Sequence, residues 1–183
     1  MADSSPVLPQ IPVETAAPPR RFIAYSTLII ILVTFIVFGL QELSGGSKSS
    51  EVLMDFGAAY RPYFQHGQWW RLVMPIFLHI GWMHILLNMY ALYILGPMLE
   101  RVYGYGRFAF IYMGAGIASF YLSMKMSTGI SAGASGAIFG VAGAMLATVF
   151  LHRELVPHRW RRFFGRLLPV GIALELLLDR TIP

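Results

Sequence analysis

Long apolar runs separated by short charged stretches make up most of this chain. About 20 consecutive apolar residues are needed to cross the ~30 Å hydrocarbon core of a bilayer as a helix. The pattern predicts such helices over 22–40, 77–98, 108–124 and 136–151, and a shorter fifth run over 167–178 carries Glu175. Between the first two runs, 41–76 mixes charge and proline with Tyr60, Tyr63, Phe64, Trp69 and Trp70. Those aromatics suit a belt at the membrane–water boundary, and a loop lying partly in the headgroups would use the same residues. The expected fold is therefore all-α, a polytopic bundle of transmembrane helices. Residues 1–20, rich in Pro, Ala and Ser, read as a disordered cytoplasmic tail ahead of one transmembrane domain over 21–183. The run over 22–40 exceeds a signal-peptide core of roughly 7–15 residues, so it reads as a retained span. A removable signal is the alternative, with Gly45, Gly46 and Ser47 as its small-residue end.

Composition sharpens this picture. The chain is 56% hydrophobic and 13% charged, with a mean hydropathy of +0.61, which sets it apart from soluble domains. It has no cysteine, so disulfides, thiolate metal sites and cysteine nucleophiles are excluded. The net charge of +5 is spread over loops beside apolar runs, a distribution that suits anionic lipid and not nucleic acid. With a cytoplasmic amino terminus, nine basic residues lie inside: Arg20, Arg21, Arg101, Arg107, Arg153, Arg159, Arg161, Arg162 and Arg166. Five lie outside: Lys48, Arg61, Arg71, Lys125 and Arg180. Excess positive charge on the inner side favours this orientation. It directs the start of the fourth run and the start of the second toward the same outer face.

Polar residues at those two places are the candidate chemistry. Ser135 stands among Gly133, Ala134 and Gly136 where the fourth run begins. Glycines there let a neighbouring helix or a substrate backbone approach the hydroxyl, and unpaired N–H groups of a first helical turn suit an oxyanion. A tightly packed helix would show the same residues, because Gly136, Gly140 and Ala144 form a row of small side chains at four-residue spacing. His84 and Asn88 are four residues apart, on one face of the second run. They could donate hydrogen bonds to one oxyanion, or form a polar clasp between helices. His79 reads as an interfacial histidine at the loop-to-helix edge, and a metal site from His79 and His84 lacks a third ligand.

Taken together, several motifs resemble the rhomboid family of intramembrane serine proteases over about 68–178. Trp70-Arg71 is similar to that family's Trp-Arg pair in its first outer loop. His79 followed by His84-Ile85-Leu86-Leu87-Asn88 is similar to its second-helix signature, Glu100-Arg101-Val102-Tyr103-Gly104 to the following turn, and Gly133-Ala134-Ser135-Gly136 to its nucleophile motif. The resemblance implies a rhomboid-like bundle with about five of six core helices in this sequence. It implies Ser135 as nucleophile, and His84, Asn88 and the Ser135 N–H as the oxyanion hole. Gly133, Gly136 and Gly140 would be structural near the site, and Trp70 and Arg71 would shape the membrane-facing loop. The implied partners are transmembrane protein substrates and the lipid bilayer, without nucleic acid, cofactor or metal. A short chain whose first span is flanked by Arg20 and Arg21 suits a bacterial inner membrane.

One part of that pattern is missing. Serine needs an adjacent base, and the family's base is a histidine on a sixth helix. The histidines here are His66, His79, His84, His152 and His158, and His152 follows Ser135 by a full helix length, roughly 25 Å at 1.5 Å per residue. The sequence ends at Pro183, where that helix would begin. The 183 residues alone are thus expected to be nearly inert, C-terminally incomplete, and loosely packed where the Gly136, Gly140 and Ala144 row would meet lipid. A non-catalytic rhomboid-like protein that binds transmembrane clients is the rival reading. A transporter fragment is weaker, since no internal repeat accompanies the polar helices.

Overall fold

A computed structural model describes residues 22–162, apart from 157. The expected tail over 1–20 and the fifth run over 167–178, with Glu175, lie outside the described residues. Four long helices alternate in direction: α1 (Tyr25–Leu43), α4 (Trp82–Tyr103), α5 (Tyr105–Met126) and α6 (Ser135–Leu151). Two short helices, α2 (Ser50–Asp55) and α3 (Arg61–Gln65), lie between α1 and α4, and α7 (His158–Arg162) follows α6. The all-α bundle expected from the apolar pattern is the fold observed. Helices α1 and α4, at 19 and 22 residues, are long and apolar enough to cross a membrane, whereas α6 has 17 residues. The outward faces of α1 and α4 stay apolar, with Leu32 61% and Met83 70% exposed, as lipid-facing residues would be.

Two ends of the bundle can be told apart by their contacts. At one, Phe22 stacks on Tyr105 at 6.0 Å, Ser26 meets Glu100, and the Tyr103 hydroxyl bonds Thr148 at 2.8 Å. At the other lie the ends of α1 and α5, the starts of α4 and α6, and the folded segment between α1 and α4. That segment is pinned by Arg61, whose guanidinium donates to the carbonyls of Met124 and Lys125 at the end of α5. It is pinned again by an antiparallel bridge in which Ala59 and Ser131 exchange both backbone bonds, at 2.9 and 3.0 Å.

Helix boundaries differ from the apolar pattern in one place that matters. The second span was expected from 77, but α4 begins at Trp82. Pro75 lies in a 3-10 turn over Met74–Ile76, and Gly81 adopts φ +78°, so the chain cannot enter a helix until after it. Residues 77–81 are therefore a loop, and His79 sits in it.

The small-residue row of α6 is also corrected. Of its two readings, a groove open to lipid and a tightly packed helix, the second holds: Gly136 and Gly140 pack against Ser119 and Ala115 of α5 so closely that an added Cβ would collide with those side chains. Gly116 of α5 lies equally close, with room for a Cβ only 2.6 Å from the Ile76 Cδ1. Close approach through small side chains is how membrane helices gain van der Waals contact without a hydrophobic driving force. Ala137, Ile138, Val141, Ala142, Met145 and Val149 are buried around this contact. The face of α6 left exposed among the described residues carries Phe139, Gly143, Ala147 and Phe150 instead.

Candidate active site

Ser135 is the first residue of α6 and is half-buried. The amide groups of a first helical turn have no acceptor within the helix, so the N–H groups of Ser135, Gly136 and Ala137 begin without an intrahelical partner. The strand of chain leading into the serine is held residue by residue. Ser131 is bridged to Ala59, the Gly133 N–H bonds the Pro75 carbonyl at 2.9 Å, and the Ala134 N–H bonds the His79 Nε2 at 3.3 Å.

Gly133 is needed for two separate reasons. Its φ of +135° strains any L side chain. A Cβ there would also lie 2.7 Å from the His84 Cε1, so the imidazole of His84 rests on the glycine backbone two residues before Ser135. His84 lies in the first turn of α4 and is half-buried. Its Nδ1 accepts the Ile80 N–H at 3.4 Å, which places the ring proton on Nε2. Nε2 also lies 2.8 Å from that notional Cβ, so a donor is seated beside the loop that delivers the serine.

Asn88 is buried on the same face of α4. Its Nδ2 donates to the His84 carbonyl at 2.9 Å, which uses one of its two amide protons within its own helix. The i, i+4 spacing thus appears as a direct hydrogen bond as well as a shared direction.

His79 was read as interfacial; the structure corrects that. It is fully buried, its ring stands 5.1 Å from that of His84, and Gln41 at the end of α1 clasps its backbone. The Gln41 Nε2 donates to the His79 carbonyl at 3.4 Å, and its Oε1 accepts the His79 N–H at 3.2 Å. Burial, aided by neighbouring His84, pushes the His79 imidazole down to about 4. The ring is then neutral near pH 7. With Nε2 accepting from Ala134, the proton sits on Nδ1, which points toward the Phe77 carbonyl but meets no full hydrogen-bond geometry. Nothing in the sequence pairs Gln41 with a histidine 38 positions away; the only signal was a glutamine at the end of an apolar run.

Trp70 and Arg71 occupy a 3-10 turn over Trp69–Leu72. Arg71 is buried: it donates to the Ala58 carbonyl at 2.9 Å and to the Gln68 Oε1 at 2.6 Å, with its guanidinium 4.6 Å from the centre of the Tyr63 ring. Trp70 is exposed and closes over Gly57, 3.5 Å from where a Cβ would stand. Both belong to the scaffold of the 41–76 segment.

The rhomboid domain profile matches residues 66–179, more than half of the chain. The chain belongs to the rhomboid family. Among its relatives, rhomboid protease GluP of Bacillus subtilis is 44% identical over 129 residues, which cover 70% of this chain and 25% of that protein. RHOMBOID-like protein 5 of Arabidopsis thaliana is 38% identical over 131 residues, 70% of this chain and 42% of that one. Rhomboid-like protease 1 of Toxoplasma gondii is 33% identical over 115 residues, 62% of this chain and 39% of that one. This rhomboid sequence thus spans from a quarter to under half the length of those relatives. With its apolar helices, the family places it among integral membrane proteins.

The remaining histidines of the rhomboid chain lie in other elements than the loop and first turn that carry Ser135. His66 is exposed, its Nδ1 2.7 Å from the Pro62 carbonyl. His152 ends α6, 60% exposed and 3.5 Å from Glu154. His158 opens α7 beyond it. Among the described residues no group of three His, Cys, Asp or Glu side chains could hold a metal ion.

Proposed function

We propose that this chain is the membrane core of an intramembrane serine endopeptidase that cuts transmembrane protein substrates near the outer membrane face. Ser135 is the nucleophile, and its Oγ attacks the scissile carbonyl. The His84 Nε2–H, the Asn88 amide and the backbone N–H of Ser135 hold the oxyanion that develops there. The single observation that carries this reading is the seating of the His84 ring against Gly133, with its donor nitrogen beside the loop that presents Ser135. Gly136 and Gly140 bring α5 against the same helix, and Trp70 and Arg71 shape the outer loop.

The attack also needs an acceptor for the serine proton. In this reading that acceptor is the sixth-helix histidine that the family resemblance implies, since His152 lies at the far end of α6 from Ser135. Without it, a serine protease loses about 10⁶ in turnover and keeps some 10³–10⁴ over water from the oxyanion hole and binding. The excess of basic residues in the segments that the sequence assigns to the inner side supports a cytoplasmic amino terminus and an outward-facing site.

Labelling of the full-length protein in membranes with a fluorophosphonate tests the nucleophile. Wild type reacts, and Ser135→Ala loses the label and the cleavage of a transmembrane reporter. Equal labelling of the two removes the serine from the mechanism. The placement of His66 and His152 favours a second reading, a rhomboid-like protein that binds transmembrane clients without cutting them. That reading gains if Ser135→Ala still captures the reporter and neither protein cuts it.

A further inference from the structure

We infer that His79 is a positioning residue for Ser135: anchored to α1 through Gln41, its imidazole takes the Ala134 N–H and so holds the Gly133–Ala134 peptide that leads into the serine. This rests on the protease reading above and assigns a new role within it. Gln41 and His79 are both fully buried, and they come from segments 38 residues apart. Their two reciprocal bonds leave the ring, and not the backbone, of His79 facing the loop before α6.

Three contacts then define the approach to the nucleophile. The Gly133 N–H is taken by Pro75, the Gly133 Cα face is covered by His84, and the Ala134 N–H is taken by His79. The next amide is that of Ser135, the first of α6. The Gly133–Ala134 plane that His79 holds is the last fixed peptide before it, with Ala134 in helical conformation at φ −77° and ψ −6° joining the two. A neutral imidazole has one acceptor nitrogen, and burial keeps this ring neutral, so the bond to Ala134 uses the only acceptor the side chain has. A phenyl ring, somewhat larger and without a nitrogen, takes the place of the imidazole and leaves the Ala134 N–H unpaired. A misplacement near 1 Å at a reacting group lowers the rate by about 10²-fold.

The test compares full-length wild type with His79→Phe, His79→Gln and Gln41→Met in detergent. Three quantities are read: the saturating rate of fluorophosphonate labelling at Ser135, the probe concentration for half-saturation, and hydrogen exchange at the Ala134 amide. His79→Phe is expected to slow the saturating rate by about 10–100-fold with little change in half-saturation, and to speed exchange at Ala134. His79→Gln, whose Oε1 can replace the Nε2 acceptor, recovers most of both. Gln41→Met gives a smaller loss of the same kind and stands in should His79→Phe not fold. Labelling of His79→Phe at the wild-type rate overturns the inference, as does equal loss in His79→Phe and His79→Gln. Should wild type and Ser135→Ala label alike, the serine reading fails by itself. The clasp is then judged on exchange alone: a protected Ala134 amide, freed in His79→Phe and protected again in His79→Gln, sustains it, and an unprotected amide in wild type overturns it.

Discussion

Glu100, in the last turn of α4 beside the start of α1, is fully buried and accepts three hydrogen bonds, from the N–H of Ser26 at 2.8 Å, the N–H of Thr27 at 3.0 Å and the Thr27 hydroxyl at 2.6 Å. At the opposite end, His79 and Asn88 are also buried and His84 is half-buried, yet His84 and Asn88 each keep a donor in reserve, and the His79 Nδ1 meets no full partner. The carboxylate end is saturated. It supplies the partners that the first turn of α1 lacks, since Ala24 offers no side-chain cap, and negative charge suits a helix start. Gly96 permits it, because a Cβ there would lie 2.7 Å from the Thr27 Cγ2. The histidine end leaves the His84 Nε2–H and one Asn88 amide proton without a partner in the fold, which the proposed oxyanion would use. One end spends its hydrogen-bonding capacity on the bundle, and the other keeps some of it unspent.

Breaking the saturated end should cost the most stability. Glu100→Ala leaves two N–H groups and a hydroxyl without acceptors, each worth about 1–3 kcal/mol when buried. A loss of several kcal/mol is expected, seen as a marked fall in melting temperature in detergent. The molecules that remain folded should still label at Ser135. Loss of labelling without loss of stability would show that the two ends do not divide the work in this way.

The next largest effect falls at the opposite end. Gly133→Ala must adopt a strained φ and push against His84. The strain costs about 1–3 kcal/mol, and a shift of the loop by a fraction of an ångström to 1 Å should slow Ser135 labelling by up to about 10²-fold. Glu100→Ala and Gly133→Ala therefore should separate on a plot of stability against labelling.

Acid sharpens the comparison further. His79 has its proton affinity lowered by folding, from the usual 6.5 to about 4. The unfolded chain therefore takes up protons first as pH falls. The contribution of this site is fully present above pH 6.5, declines below it and is gone near pH 4. Denaturation midpoints measured across that window should fall with pH in wild type and fall less in His79→Gln.

The smallest effect is expected at His152. Its contact with Glu154 is exposed, and such pairs contribute about 0–1 kcal/mol. His152→Ala should leave both stability and labelling close to wild type. A large loss of labelling would make His152 the base and overturn its placement at the far end of α6.

Much of this was legible in the chain itself. Apolar length alone marked the spans of α1, α5 and α6 to within a few residues, because a helix in lipid must satisfy its own backbone and so must be long and apolar. The serine between glycines and the i, i+4 pair of His84 and Asn88 were visible as local patterns. What stayed hidden depended on partners distant in sequence. The start of α4 moved from 77 to 82 because Pro75 and Gly81 outrank hydropathy. The row of Gly136 and Gly140 turned out to face α5 because Ala115 and Ser119 are small at matching heights.

Sequence by itself thus determined that this is a bundle of membrane helices bearing rhomboid motifs, since hydropathy and local spacing are properties of neighbouring residues. Only the tertiary structure decided that His79 is buried against Ala134 and bound to Gln41, that His84 rests on Gly133, and that Glu100 secures the start of α1. Each of those is a hydrogen bond or a van der Waals contact between segments tens of residues apart. Their formation depends on how the helices pack, which no local pattern of residues encodes.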